Sequence, residues 1–202
     1  MTRGRLEAFS DGVFAIIITI MVLELRPPRS TGWDALGPLL PVFAAYVLSF
    51  VYVGIYWNNH HHIVTHVHRV TAGVMWSNLA LLFWLTLFPF MTAWAGEHHA
   101  DPVPVALYGM VLFLAAVAYF VLQTVIVRQN GGWDGPLGRA LGRDLKGRLS
   151  PVIYAVAVLL AWVDTWLSFG LYTVVAFMWV VPDRRLERAL ATVPERHAST
   201  PL

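Results

Sequence analysis

Residues 5–25 read RLEAFSDGVFAIIITIMVLEL, an apolar run that carries Arg5, Glu7, Ser10 and Asp11 near its start. About 20 such residues in a helix span the hydrocarbon core of a bilayer. Burying a carboxylate at the centre of a lipid-facing helix costs about 2.5–3.5 kcal/mol on insertion scales, so Asp11 marks a face turned to protein or water. Gly12, Ile16, Thr19, Ile20 and Leu23 fall on one stripe of the helix, because positions i, i+3, i+4 and i+7 share a side. Asp11 lies about 140° from Ile16 around the helix and stands outside that stripe. The helix therefore has two faces with two tasks.

Working outward, the chain has 202 residues, of which 57% are hydrophobic and 13% charged, with a mean hydropathy of +0.60. Soluble domains carry roughly 25% charged residues, so the composition is that of an integral membrane protein. The chain has no cysteine and 8 histidines, which excludes disulfides, zinc-thiolate sites and iron–sulfur ligation from its own residues. A net charge of +2 gives no support to nucleic-acid binding. The first run is preceded by Arg3 and Arg5 in the manner of a signal peptide. Asp11 inside it, the lack of a small-x-small cleavage site, and Glu24-Leu25-Arg26-Pro27-Pro28 at its end argue for a retained helix.

The hydrophobic pattern predicts an all-α protein with six transmembrane helices, at about 6–25, 35–57, 70–94, 103–127, 149–163 and 166–181. These form one transmembrane unit over 1–182, followed by a polar tail over 183–202. Pro38 and Pro41 fall early in the second span, where a missing N–H matters least, and the span ends in Asn58-Asn59-His60-His61-His62. Pro89 is expected to kink or end the third span. Residues 128–148, with repeated glycine, Trp133 and Pro136, read as a surface linker with a short amphipathic piece. The last two spans are near the lower length limit and require a tight turn at Asp164.

Six spans put both termini on one side. That side would hold Arg3, Arg5, Arg69, Arg128, Arg139, Arg143, Lys146, Arg148, Arg184, Arg185, Arg188 and Arg196, and the other only Arg26 and Arg29. The positive-inside rule makes both termini cytoplasmic, in the cell (plasma) membrane.

The signature Arg5, Phe9, Ser10 and Asp11 reproduces the RxxxFSD motif, and Ile16-Ile17-Ile18-Thr19 continue the match. In these residues the chain resembles the transmembrane protein 175 family, whose prokaryotic members are potassium-permeable channels. The resemblance implies a homotetramer around a central pore lined by the first helix. It implies Ile16, five residues after the signature aspartate, as the hydrophobic constriction, with Ile20 and Leu23 as further apolar layers and Thr19 as a pore-facing hydroxyl. Potassium ions and the lipid bilayer are then the partners, with no cofactor and no enzymatic activity. Without the resemblance, an apolar stripe at helical spacing is by default a packing or lipid-facing surface.

Asp11 has Glu7 one turn before it, an unfavourable like-charge pair, and Arg5 roughly 240° around the helix, which is poorly placed to relieve it. Help must come from another helix, and Asn58, His60, His61 and His62 end the second span at the same membrane face. The resemblance implies a polar network joining that histidine region to the signature arginine and aspartate; a bridge that only holds helices together is the alternative reading. A direct or water-bridged contact of Asp11 with one of these histidines or with Arg5 is expected. His62 and His66 have the i, i+4 spacing of a metal-binding pair, but His98 and His99 belong to the opposite face, so no multi-histidine site is expected. Glu24, four residues beyond Ile20, is either a carboxylate at the outer mouth that concentrates cations or a solvated interfacial charge. Val53-Gly54-Ile55-Tyr56 superficially matches a carbonyl-lined filter but lies within a continuous span, and reads as helix packing. A non-conducting membrane protein, or an ion- or proton-coupled transporter built on the Asp11 and histidine network, is the competing function. A transporter favours broken helices and pseudo-symmetric halves, whereas the first span is uninterrupted.

Overall fold

The computed structural model describes residues 1–28, 30–141 and 145–180; the tail over 183–202, Arg29 and Arg143 lie outside the described residues. The described elements are helical: α1 (Arg3–Leu23), α2 (Leu40–Val64, preceded by a 3-10 segment at Trp33–Leu39), α3 (Ala72–Thr86), α4 (Phe88–Glu97), α5 (Pro102–Gln129), α6 (Pro136–Leu141), α7 (Leu145–Leu160) and α8 (Thr165–Val180). Four segments among them are long and apolar enough to cross a membrane: Arg3–Leu23, Trp33–Val64, Ala72–Glu97 and Pro102–Gln129. Of the six expected spans, α7 and α8 are the short ones, at 16 residues each.

Local chemistry sets the helix ends. The Thr2 hydroxyl accepts from Arg5 N at 3.4 Å at the start of α1, and Thr71 does the same for Val74 N at the start of α3; both satisfy an N–H that has no partner within the helix. The third apolar segment breaks at Leu87, two residues before Pro89. Proline has no N–H to donate back to the carbonyl four residues earlier, so the α3 ladder cannot run through it. Gly131 and Gly132 take φ of 87° and 73° after α5, a left-handed backbone that glycine adopts without a Cβ clash. Asp164 Oδ1 accepts from Trp166 N at 2.7 Å and Leu167 N at 3.4 Å, capping α8 right after the turn from α7.

Hydrogen-bonded tyrosines join the helices inside the bundle. Ser49 and Tyr108 share a hydrogen bond at 3.0 Å, Thr92 donates to Ser49 Oγ at 2.7 Å, and Tyr172 donates to the Val105 carbonyl at 3.2 Å. These bonds tie α2, α4, α5 and α8 together. A Cβ on Gly109 would sit 2.0 Å from the Tyr172 hydroxyl, so glycine is what allows that ring to lie against α5. The outcome is a bundle in which α1 packs on α2, α3 and α4 and leaves one side uncovered.

Candidate functional site

Two opposed stripes divide α1. Leu6, Ser10, Phe14, Ile17 and Met21 are buried in the chain's own core. Gly12, Ile16, Thr19, Ile20 and Leu23 are exposed; Ile16 is 58%, Ile20 40% and Leu23 78% accessible. No packing among the described residues accounts for this second stripe. The Thr19 hydroxyl donates back to its own helix, with the Ala15 and Ile16 carbonyls at 3.0 and 2.9 Å. Its proton is thus engaged, and its oxygen is what the exposed face presents.

On the flank of α1, three bonds cross to antiparallel α2 in one register. Arg3 Nη1 donates to the Thr65 carbonyl at 2.7 Å, Glu7 pairs with His61 Nδ1 at 3.0 Å, and Trp57 Nε1 donates to Asp11 Oδ1 at 3.0 Å. Each step takes four residues forward on α1 and four back on α2, as two antiparallel helices of equal pitch require. The direct hydrogen bond of Asp11 goes to Trp57 rather than to a histidine or Arg5, and Glu7 is the residue that pairs directly with a histidine. The reason is axial. Helix α2 runs on to Val64, so His61 lies a full turn beyond Trp57, level with Glu7.

A buried polar chain lies deeper. His60 Nε2 and Asn78 Oδ1 are 2.7 Å apart, Asn78 Nδ2 donates to Ser10 Oγ at 3.0 Å, and Ser10 donates to the Leu6 carbonyl at 2.9 Å. Ser10, His60 and Asn78 are fully buried. Because the Asn78 amide nitrogen is committed to Ser10, its oxygen must accept, which puts the His60 proton on Nε2. His60 Nδ1 is buried with no hydrogen bond, and the ring packs against Phe14 with centroids 5.5 Å apart.

The signature residues thus separate. Ser10 faces inward and Asp11 sideways, while Arg5 and the 53% accessible Phe9 face outward. The Arg5 guanidinium makes no ion pair or hydrogen bond among the described residues, and Asn58 and His62 lie on the exposed side of α2 without a side-chain bond to α1. Two members of the site escaped the sequence reading. Asn78 is a lone amide in an apolar span, a signal in itself, since polar side chains inside membranes are functional or bridging by default. Trp57 marks only the end of the second apolar span in the sequence, and its role as a donor depends on which way α2 is rotated. At the other end of α1, Glu24 lines a cavity of about 290 Å³ with Arg26, Glu97 and His99. Among the described residues no three histidine or carboxylate side chains converge as a metal site.

A family model described as the endosomal/lysosomal potassium channel TMEM175 matches residues 5–89. Over 190 residues the chain is 47% identical to a potassium channel of Chryseobacterium sp., covering 94% of this chain and 98% of the other. It is 34% identical over 208 residues to a potassium channel of Streptomyces collinus, covering 98% of each. A solved crystal structure of a lysosomal potassium-selective channel TMEM175 homolog from Chamaesiphon minutus superposes with a TM-score of 0.71 at 29% identity, covering 89% of this chain and 96% of that one.

Proposed function

The chain belongs to the TMEM175 family, and from that premise we propose that it is a potassium-permeable channel in which four copies surround a pore lined by α1. The observation that carries the reading is the exposed stripe of Ile16, Thr19, Ile20 and Leu23, opposite a fully packed stripe on the same helix. A single stripe cannot enclose a water-filled path; several copies about one axis can.

Ile16 is the narrowest layer, followed by Ile20 and Leu23. Apolar side chains cannot replace an ion's hydration shell as carbonyl oxygens do, so this constriction gates by dewetting or steric closure, and its preference for potassium over sodium is modest. Glu24, just past Leu23, places carboxylates at the outer mouth and raises the local cation concentration. The bonds of Ser10, Asp11, Glu7 and Arg3 to the neighbouring helices hold the rotation of α1, and so keep the stripe aimed at the axis. Helices α7 and α8, each about 24 Å long, serve as the fifth and sixth spans around the Asp164 turn and return the chain to the cytoplasmic side of the plasma membrane.

The test is ion flux through purified protein in phospholipid vesicles. Passive, non-saturating potassium flux with smaller sodium flux is expected. Saturable flux coupled to a second ion would replace this reading with the transporter.

A further inference from the structure

Between α2, α5, α7 and α8 lies a half-enclosed cavity of about 40 Å³, lined by residues that neither the pore stripe nor the α1 contacts use. Tyr56 and Asn59 face it from α2, Tyr119, Phe120 and Gln123 from α5, and Trp179 from α8. Several polar groups around it are already engaged. The Tyr119 hydroxyl donates to the Asn59 carbonyl at 3.2 Å, and Trp179 Nε1 donates to Ser150 Oγ at 2.9 Å. Gln123 differs: it is only 7% exposed, yet its amide makes no hydrogen bond among the described residues and borders the cavity. Buried side-chain amides are ordinarily hydrogen-bonded, and this one offers two donors and an acceptor.

The lining fixes what can enter. Among the described residues no aspartate, glutamate, lysine or arginine borders the cavity, and an ionised head left unpaired beside them would be strongly disfavoured. The volume admits about three or four water-sized groups, at about 10–15 Å³ of probe space each, and no aromatic ring. Phe120 is 47% exposed and Ile55 beside the cavity is partly buried, so an apolar surface of α2 and α5 adjoins the cavity. A hydroxyl is the size of water, both donates and accepts, and leaves an apolar body outside on that surface.

We propose that this cavity binds the head of a neutral, hydroxyl-bearing amphiphile dissolved in the membrane, with the hydroxyl hydrogen-bonded to Gln123 and the apolar body lying along Phe120 and Ile55. The site is independent of the pore.

The experiment is photolabelling of the full chain in phospholipid vesicles with an octanol carrying a diazirine, followed by peptide mass spectrometry. Labelling is expected to concentrate on Tyr56, Tyr119 and Phe120 and to be displaced by excess 1-octanol but not by octane. Gln123→Leu is expected to lower it about fivefold or more, as loss of one hydrogen bond implies. Ala116→Phe fills the cavity while keeping the amide, and is expected to abolish it. Label spread evenly over lipid-facing residues such as Phe43 and Trp76, octane competing as well as octanol, or labelling undiminished in both folded variants would overturn the proposal. So would an unlabelled cavity beside normal labelling elsewhere, which would identify water as its sole occupant.

Discussion

Asp11 and Ile16 sit five residues apart on α1 and meet different surroundings: the carboxylate accepts from Trp57 at 3.0 Å, while the isoleucine is 58% exposed. Substitutions at the two positions should therefore separate. If the proposed constriction lies at Ile16, Ile16→Asn is expected to raise conductance and relax the potassium-over-sodium preference, because an amide wets what an isoleucine keeps dry; vesicle flux for the two ions measures both. Trp57→Phe keeps most of the ring but removes the donor to Asp11. It is expected to lower the thermal midpoint of the assembled protein by a few degrees, a loss of about 1 kcal/mol, with the ion preference unchanged. Asn78→Leu is a harsher change, since it strands the His60 Nε2 proton in a buried site and removes the donor to Ser10 Oγ. A loss of about 1–2 kcal/mol is expected, near the upper end for interhelical hydrogen bonds in membranes, and thermal unfolding of the purified protein reads it.

At the scale of elements, what distinguishes the bundle is how closely α8 approaches α5. The Tyr172 ring lies where a Cβ of Gly109 would be, with the hydroxyl at 2.0 Å and the adjoining ring carbon at 2.6 Å. Gly109→Ala is expected to destabilise by about 1–3 kcal/mol through overpacking. Adding Tyr172→Phe removes the nearest atom and is expected to restore part of the loss. A fully additive double variant, measured by thermal unfolding, would show that the crowding lies elsewhere. The break between α3 and α4 has the same local logic: Pro89 removes one rung, and two shorter helices pack where the proline was expected to kink or end the span. The sequence locates that break to within two residues because the proline ring itself forbids the bond.

Assembly belongs to the whole molecule. The absence of native cysteine makes single-cysteine variants unambiguous reporters. Mass measurement of the purified protein in detergent is expected to give four chains. Thr2→Cys and Ser199→Cys are expected to react with a membrane-impermeant thiol reagent from the same, cytoplasmic side, as an even number of spans requires. Reaction from opposite sides would remove either α7 or α8 from the list of spans.

The membrane class, the helical course of α1 and its two faces were legible in the chain alone. Each depends only on composition and on the helical repeat, which act locally. The interhelical partners were not. That Asp11 meets Trp57, that Glu7 takes His61, and that His60 reaches Ser10 through Asn78 depend on the axial offset and rotation of α2 and α3 against α1. Those are set by the packing of Leu6, Phe14, Ile17 and Met21 into the core. A shift of one residue on α2 turns its side chains by about 100°, so neighbours as similar in sequence as His60, His61 and His62 end up buried, paired with Glu7, and exposed without a bond to α1. Local rules cannot separate three adjacent histidines; only the tertiary structure, through the register of one helix on another, does.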